Sequence, residues 1–243
     1  MVESVTVAGV DGCRAGWIAV FWQIGDPTGS KSRVFSTFSS LLDAEEAPQI
    51  IAVDMPIGLP EKVGAGGRGP ERAVRPLLDQ RQSSVFSVPS RRAVYCESYS
   101  QSCAVAYETS DPPRKVSKQC FNLFPKIREI DRLMSASLEA RVYEVHPELA
   151  FWRLNDETPM SLPKKVKSRP SEPGLSERQA CLEKCGFSRE FFEMPRPKGV
   201  GADDLLDASA NSLIAARLHS GQARSFPSTF ERDSRGLRIA MWA

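Results

Sequence analysis

Residues 4–16 read SVTVAGVDGCRAG, and the rest of the chain is best understood outward from them. Val5, Val7 and Val10 stand among small residues, the composition of a buried strand. Gly12 and Gly16 bound a tight turn after it. Between strand and turn sits one acid, Asp11. A carboxylate leaving a buried strand is held rigidly and faces solvent, so other acids can be gathered round it. Asp11 is therefore read as the first ligand of a metal site.

Residues 16–24 (GWIAVFWQI) form a second apolar strand, and residues 33–38 (RVFSTF) a third with period-two character. Their short connections imply an antiparallel meander. A short helix capped by Ser39 or Ser40 follows. Residues 49–59 (QIIAVDMPIGL) are continuously apolar, as in a central parallel strand covered on both faces. This strand also ends on an acid, Asp54, before Pro56 and Gly58 stop it. Residues 97–109 and 116–138 read as helices, the second amphipathic, with Pro125 marking its start. A short strand at 142–145 precedes His146-Pro147. A helix runs from Ser176 to Cys185, and the strongest helix lies within residues 199–221, bounded by glycine at both ends. Residues 235–243 read as an extra edge strand.

Right-handed crossovers place the first, fourth and fifth strands parallel and adjacent. Asp11 and Asp54 then meet at the carboxyl edge, where open α/β sheets bind ligands. The expectation is one α/β domain over residues 1–243, with inserts at about 60–140 and 155–200. Within the inserts, the Gly-, Pro- and Arg-rich residues 60–92 are too long to be filler. The polar, proline-rich residues 155–175 are expected to be mobile.

Composition narrows the class. The chain has 243 residues, 41% hydrophobic and 26% charged, as in ordinary soluble domains. No apolar run approaches the ~18 residues of a membrane helix, and the N-terminus lacks signal-peptide character. A cytoplasmic protein without a membrane partner is expected, with its six cysteines reduced. Trp17, Trp22, Cys181 and Cys185 read as packing residues. Net charge is only +2, but basic residues cluster at 61–92, 112–128 and 164–169. Such patches near an acidic centre suit an anionic substrate, although charge runs are also common on solvated loops.

Asp203, Asp204 and Asp207 are spaced i, i+1, i+4 on the last helix, within one arc of roughly 100°. That arc adjoins the apolar stripe of Leu206, Ala210, Leu213 and Ile214, which must face the sheet. One helix end thus brings carboxylates toward Asp11 and Asp54. Crowded carboxylates repel one another unless cations intervene, and Mg²⁺ or Mn²⁺ prefers such hard oxygen donors. Acids at a helix N-terminus also complement its dipole, so the metal reading rests on three element ends converging.

The ordered segments GVDGCRAGWI, VDMPIGLP, RQSSVFSVPSR, VSKQCFNLFPKIREID, YEVHPELAF and ADDLLDA resemble a domain-of-unknown-function family described as predicted RNase H-like nucleases. The resemblance covers about Gly9 to Gly221. It implies an RNase H-like five-stranded mixed sheet of order 3-2-1-4-5, strands 1–3 antiparallel, flanked by helices. Its last-helix pattern is similar to that of RuvC-type Holliday-junction resolvases, where two ligands stand three residues apart, here Asp204 and Asp207. Asp54 stands where those resolvases usually have Glu. The resemblance implies Asp11, Asp54, Asp204 and Asp207 as ligands of Mg²⁺ or Mn²⁺, and a two-metal phosphodiester hydrolysis. Glu144, from YEVHPE, joins the catalytic set as a ligand, a general base or a partner for Arg81. His146 is expected to orient Glu144 or Glu148, or to pack at the strand end.

Arg81, Ser83, Ser84 and Arg91 read as a phosphate clamp, because the guanidinium fork and hydroxyls suit phosphate oxygens. Lys118 and Gln119 have the same status. The expected partner is nucleic acid or a nucleotide, and self-assembly is left open. The competing reading is a non-catalytic nucleic-acid- or nucleotide-binding regulatory protein on the same fold. An actin-like ATPase fits less well, since one half only is present and DGCRAG makes a poor phosphate hairpin.

Overall fold

The computed structural model of the chain describes residues 5–167 and 169–243. Ser4 of the opening stretch and Ser168 of the basic tract lie outside the described residues. The main sheet begins with β1 (Thr6–Cys13), β2 (Gly16–Gln23) and β3 (Lys31–Phe35), an antiparallel meander as expected. After α1 (Phe38–Leu42), capped by Thr37, β4 (Ile51–Val53) pairs parallel to β1. β5 (Val142–Glu144) pairs parallel to β4, and the sheet order is β3-β2-β1-β4-β5.

Period-two alternation sorts the side chains of these strands between two cores. Val7, Ile18, Val20 and Ala52 face one layer, whereas Ala8, Val10, Trp17, Phe21 and Val53 face the other. Of the residues between β4 and β5, α2 (Gly69–Val74) adds Val74 to the first layer, and α3 (Arg91–Val94), α4 (Tyr99–Glu108) and α5 (Lys118–Leu133) fill the second. The expected long loop at 60–92 thus includes two short helices and two 3₁₀ turns. Pro125 lies inside α5 rather than at its start; Ser117 is the N-cap, accepting the Cys120 amide at 3.2 Å.

The first layer holds α6 (Pro147–Leu154), then the two-residue strands β6 (Lys165–Val166) and β7 (Arg169–Pro170), α7 (Glu172–Lys184), α8 (Arg189–Glu193) and α9 (Ala202–His219). Residues 155–175, expected to be mobile, instead form the β6–β7 ribbon and the first turn of α7. A cause is visible at Gly174: a Cβ there would collide with the Pro163 carbonyl, so the segment closes tightly on α7. β8 (Ser225–Arg232) and β9 (Arg238–Trp242) form a separate two-stranded ribbon. Residues 235–243 therefore do not extend the main sheet. Trp242 and Arg238 instead pack on the Tyr143 ring of β5, at 5.4 Å and 4.8 Å. No described helix is long and apolar enough to cross a membrane, and all six cysteines are free.

The central contact is α9 against β1. Alternation points Gly9 at α9, and a side chain there would meet the Ser212 amide nitrogen and the Ala208 carbonyl. Glycine lets helix and strand backbones touch. Asn211, fully buried, donates from Nδ2 to the Val10 carbonyl at 3.2 Å and fixes the helix along the strand. Gly9→Ala is expected to lower stability by about 3 kcal/mol, since overpacking against backbone cannot relax by rotamer change. Urea unfolding checks this, and an unchanged midpoint would show that α9 is not seated through Gly9.

Candidate metal centre

Strand register builds the site. Val10 lies opposite Val53, so the next residues, Asp11 and Asp54, emerge side by side. Alternation gives Asp11 the parity of Val7 and Gly9, and Asp54 that of Ala52, so both face α9. β1 continues two residues past Asp11, pairing with β2 to Cys13; the turn comes later than expected, at Arg14–Ala15, with Gly16 at φ +127°. Asp11 is therefore held within the strand and is only 8% exposed. On α9, Asp207 lies one turn before Asn211, and Asp203 and Asp204 one turn earlier still. The Val10–Asn211 hydrogen bond thus sets where all three acids stand.

Asp11, Asp54, Asp203, Asp204 and Asp207 line one cleft of about 270 Å³. Asp11 accepts the Gly12 amide at 2.6 Å, and Asp204 accepts the Gly201 amide at 2.8 Å as a helix cap. Among the described residues Asp54 has no side-chain hydrogen bond, and the buried Oδ1 of Asp207 has no partner. Burial first, then Asp54, Asp207 and Asp204, hold the Asp11 carboxyl well above the usual carboxylate range. Burial and Asp207 push Asp54 up to about 7. Burial raises Asp207 to about 6 even though Lys164 opposes the shift, and burial raises Asp204 as well.

Two lysines from the β6–β7 region enter this field. Lys164 Nζ donates to Asp207 Oδ2, and Lys165 Nζ pairs with Asp203 at 2.5 Å. Burial acts against the Lys164 ammonium, but Asp207 and Glu148 outweigh it and raise its pKa. Sequence reading placed Lys164 in a basic tract and missed this role, because its partner lies 43 residues away. Behind β1, Lys126 of α5 stretches past Gly12, donates to the Gly16 carbonyl at 2.5 Å and lies 4.2 Å over the Trp17 ring.

The chemistry of the donors fits a hard divalent cation: unpartnered carboxylate oxygens from three elements facing one polar space. As the side chains stand, no three acidic, His or Cys groups among the described residues are arranged to hold an ion, and Lys164 occupies one oxygen of Asp207. The arrangement is that of an acidic cleft in which two ammonium groups offset two of five aspartates.

The remaining predicted residues divide. Glu144 does not line the cleft: it accepts the Ile57 amide at 2.7 Å and Arg68 Nη2 at 2.5 Å, and Arg68 also grips Glu71. Its partner is thus Arg68, not Arg81. Burial raises Glu144 to about 7 against the pull of Arg68. From the same YEVHPE segment, Glu148 and His146 do reach the cleft. Glu148 accepts Arg178 Nη2 at 2.7 Å and 2.8 Å. Burial lowers His146 to about 4; its Nε2 is 3.4 Å from the Ser84 carbonyl rather than on either glutamate, and its Nδ1 has no partner.

Of the expected clamp, Ser84 and Gln119 line the cleft. Ser83 is exposed, and among the described residues the Arg81 guanidinium has one hydrogen bond, to Gln80 at 3.4 Å. Arg91 is spent on structure, donating to Asp131 at 2.9 Å and Asp233 at 2.6 Å. Lys118 is exposed at the start of α5, 5.9 Å from the Tyr99 ring.

Fold and cleft together define an α/β protein with a five-stranded mixed sheet and an acidic cleft at its carboxyl edge. A family model matches residues 9–232, and the chain belongs to that family, described as "Protein of unknown function (DUF429)". No curated protein and no solved structure matches the chain.

The raised carboxyls have a definite consequence for stability. The folded state holds protons on Asp54 and Asp207 that the unfolded chain releases near pH 4, so their stabilising contribution is full below that and is lost as pH rises through about 6 to 7. The metal-free melting temperature is expected to fall between pH 5 and pH 8. Asp54→Asn should raise it at pH 8 and change it little at pH 5, as read by thermal melts. An equal effect at both pH values would refute the electrostatic origin.

Proposed function

We propose that this protein is a divalent-metal-dependent phosphodiesterase acting on nucleic acid, built on an RNase H-like sheet. What carries the reading is the convergence of Asp11, Asp54, Asp204 and Asp207 from β1, β4 and the last long helix in one cleft, with a buried Asp207 oxygen unpartnered. Sheet order and acid placement support the RNase H-like assignment. Asp11, Asp54, Asp204 and Asp207 would hold Mg²⁺ or Mn²⁺. Such an ion, when bound, supplies a Lewis acid for phosphoryl oxygens and an acidified water.

The chain's own groups have separate tasks. The carboxylates, ionised on cation binding, stand on backbone fixed by β1, β4 and α9, and the side chains must turn and Lys164 must leave Asp207 for them to close on an ion. Lys164 and Lys165 offset two of the five aspartates, Asp207 and Asp203, and are placed to pair with substrate phosphate once released from them. His146, held neutral by burial and with Nε2 toward the Ser84 carbonyl, leaves Nδ1 free to accept a hydrogen bond. Glu144 is assigned to structure, holding Arg68 beneath the Asp54 loop.

The Lys164–Asp207 pair favours a second reading, in which the lysines already satisfy the cleft and the fold binds nucleotide without chemistry. Cleavage of labelled single-stranded, duplex, hybrid and four-way-junction substrates separates the two. With Mn²⁺, wild-type protein is expected to cleave at least one substrate, and Asp11→Asn and Asp207→Asn to lose about 100-fold or more. Equal cleavage by all three proteins, or none by any, would overturn the metal reading. Lys164→Met is expected to tighten Mn²⁺ binding in calorimetry, as it removes the competing cation. Unchanged affinity would show that the ammonium and the metal do not share Asp207.

A further inference from the structure

Two features flagged in the sequence remain unused by the acidic cleft: the glycine-rich segment at 64–68 and the basic tract that begins at Arg114. The fold brings them together. Val63 bridges in parallel to Ser110, with its amide on the Thr109 carbonyl at 2.9 Å, so the glycine loop lies beside residues 114–117. Between them is a second pocket of about 220 Å³. Its floor is apolar, from Val63, Val88, Ala106 and Val116, each 8% exposed or less. Its rim carries Arg114 and Lys115, and no acid lines it.

The rim charges are unspent. Neither Arg114 nor Lys115 has a side-chain hydrogen bond or ion pair among the described residues, and both are exposed. Burial lowers the Arg75 pKa; Glu71 opposes that shift, and Arg114 lies close enough for its like charge to add to it. Arg75 cannot swing away. It is held by the Val85 carbonyl at 2.9 Å, Ser87 Oγ at 3.0 Å and the Gly66 carbonyl. Gly66 and Gly67, at φ +83° and +100°, allow the loop to turn its carbonyls onto Arg75 and Arg72. The N-terminus of the 16-residue α5 opens at the same rim, with no acid in its first turn. Two exposed cations on a pocket lined by no acid favour an anion, and the helix end adds to that field.

An apolar floor below a cationic rim selects a ligand with an apolar ring and an anionic group. The volume is under the about 300–1,000 Å³ usual for drug-sized ligands, and so suits a single base. Among the described residues, Phe86 lines both this pocket and the acidic cleft. We infer that this pocket binds one nucleotide, the base on the apolar floor and its phosphate on Arg114 and Lys115. Its role as the subsite that seats a nucleotide beside the cleft rests on the phosphodiesterase reading; binding itself does not.

Calorimetric titration without divalent cation tests it, using the four ribonucleoside 5′-monophosphates, adenosine and inorganic phosphate. At least one mononucleotide is expected to bind one-to-one, about ten-fold or more tighter than adenosine or phosphate, since each carries only half of the recognised chemistry. The exposed double variant Arg114→Ala/Lys115→Ala should weaken binding about ten-fold or more with unchanged melting temperature. Ala106→Leu, which fills the floor, should weaken it comparably. Asp11→Asn should bind as wild type. Nucleotide binding in a protein that binds no Mn²⁺ would support the pocket while sinking the metal reading. No mononucleotide binding, phosphate binding as tight as nucleotide, or indifference to the double variant would overturn the pocket whatever the metal does.

Discussion

The carbonyl of Val10 accepts two hydrogen bonds, from the Asp54 amide at 3.0 Å and from Asn211 Nδ2 at 3.2 Å. The acidic edge depends on this junction. The first bond closes the β1–β4 pairing just where both strands present an acid. The second stops α9 from sliding along the strand. Because Asp207 stands one helical turn from Asn211, the same carbonyl fixes a third carboxylate relative to the other two. Gly9, one residue earlier, makes the close approach feasible, because a Cβ there would meet the helix backbone at Ser212 and Ala208.

That junction imposes an electrostatic cost. Burying several carboxylates within one cleft raises their pKa values and opposes the charged state of each. The protein offsets this locally with Lys164 and Lys165. Outside the cleft, among the described residues, guanidinium groups meet its buried acids, as in Arg68 with Glu71 and Glu144, and Arg91 with Asp131 and Asp233. The contrast between the two kinds of buried acid separates function from scaffold. Glu144 has its hydrogen-bonding capacity filled by Arg68 and the Ile57 amide, whereas Asp54 and one oxygen of Asp207 do not. Unfilled polar capacity facing a cavity is capacity left for a ligand.

Much of this was legible in the chain itself. The meander and the parallel, adjacent first, fourth and fifth strands follow from run lengths and connection lengths around Val5–Val10 and Gln49–Val53, and the full order 3-2-1-4-5 was implied by the family resemblance. The convergence of Asp11, Asp54 and the α9 acids follows from strand ends and helical spacing. What was misread shares a cause. Pro125 looked like a helix start because local rules cannot see that packing on the sheet carries α5 through it. The segment 155–175 looked loose because its polar composition hides the Gly174–Pro163 contact and the Lys164–Asp207 pair. Arg91 looked like a phosphate ligand because its partners, Asp131 and Asp233, lie far along the chain.

By itself, the sequence determined the elements, their order and the ends on which the acids sit, because strand and helix periodicity are local and short-range. Only the tertiary structure decided which charges are spent. An ion pair across 43 or 76 residues depends on how loops close, and no spacing rule reports it. Thus the fold, and not the motif, withdrew Glu144 from the cleft, brought Lys164 into it, and set a cationic pocket beside it from a glycine loop and a helix start far apart in the chain.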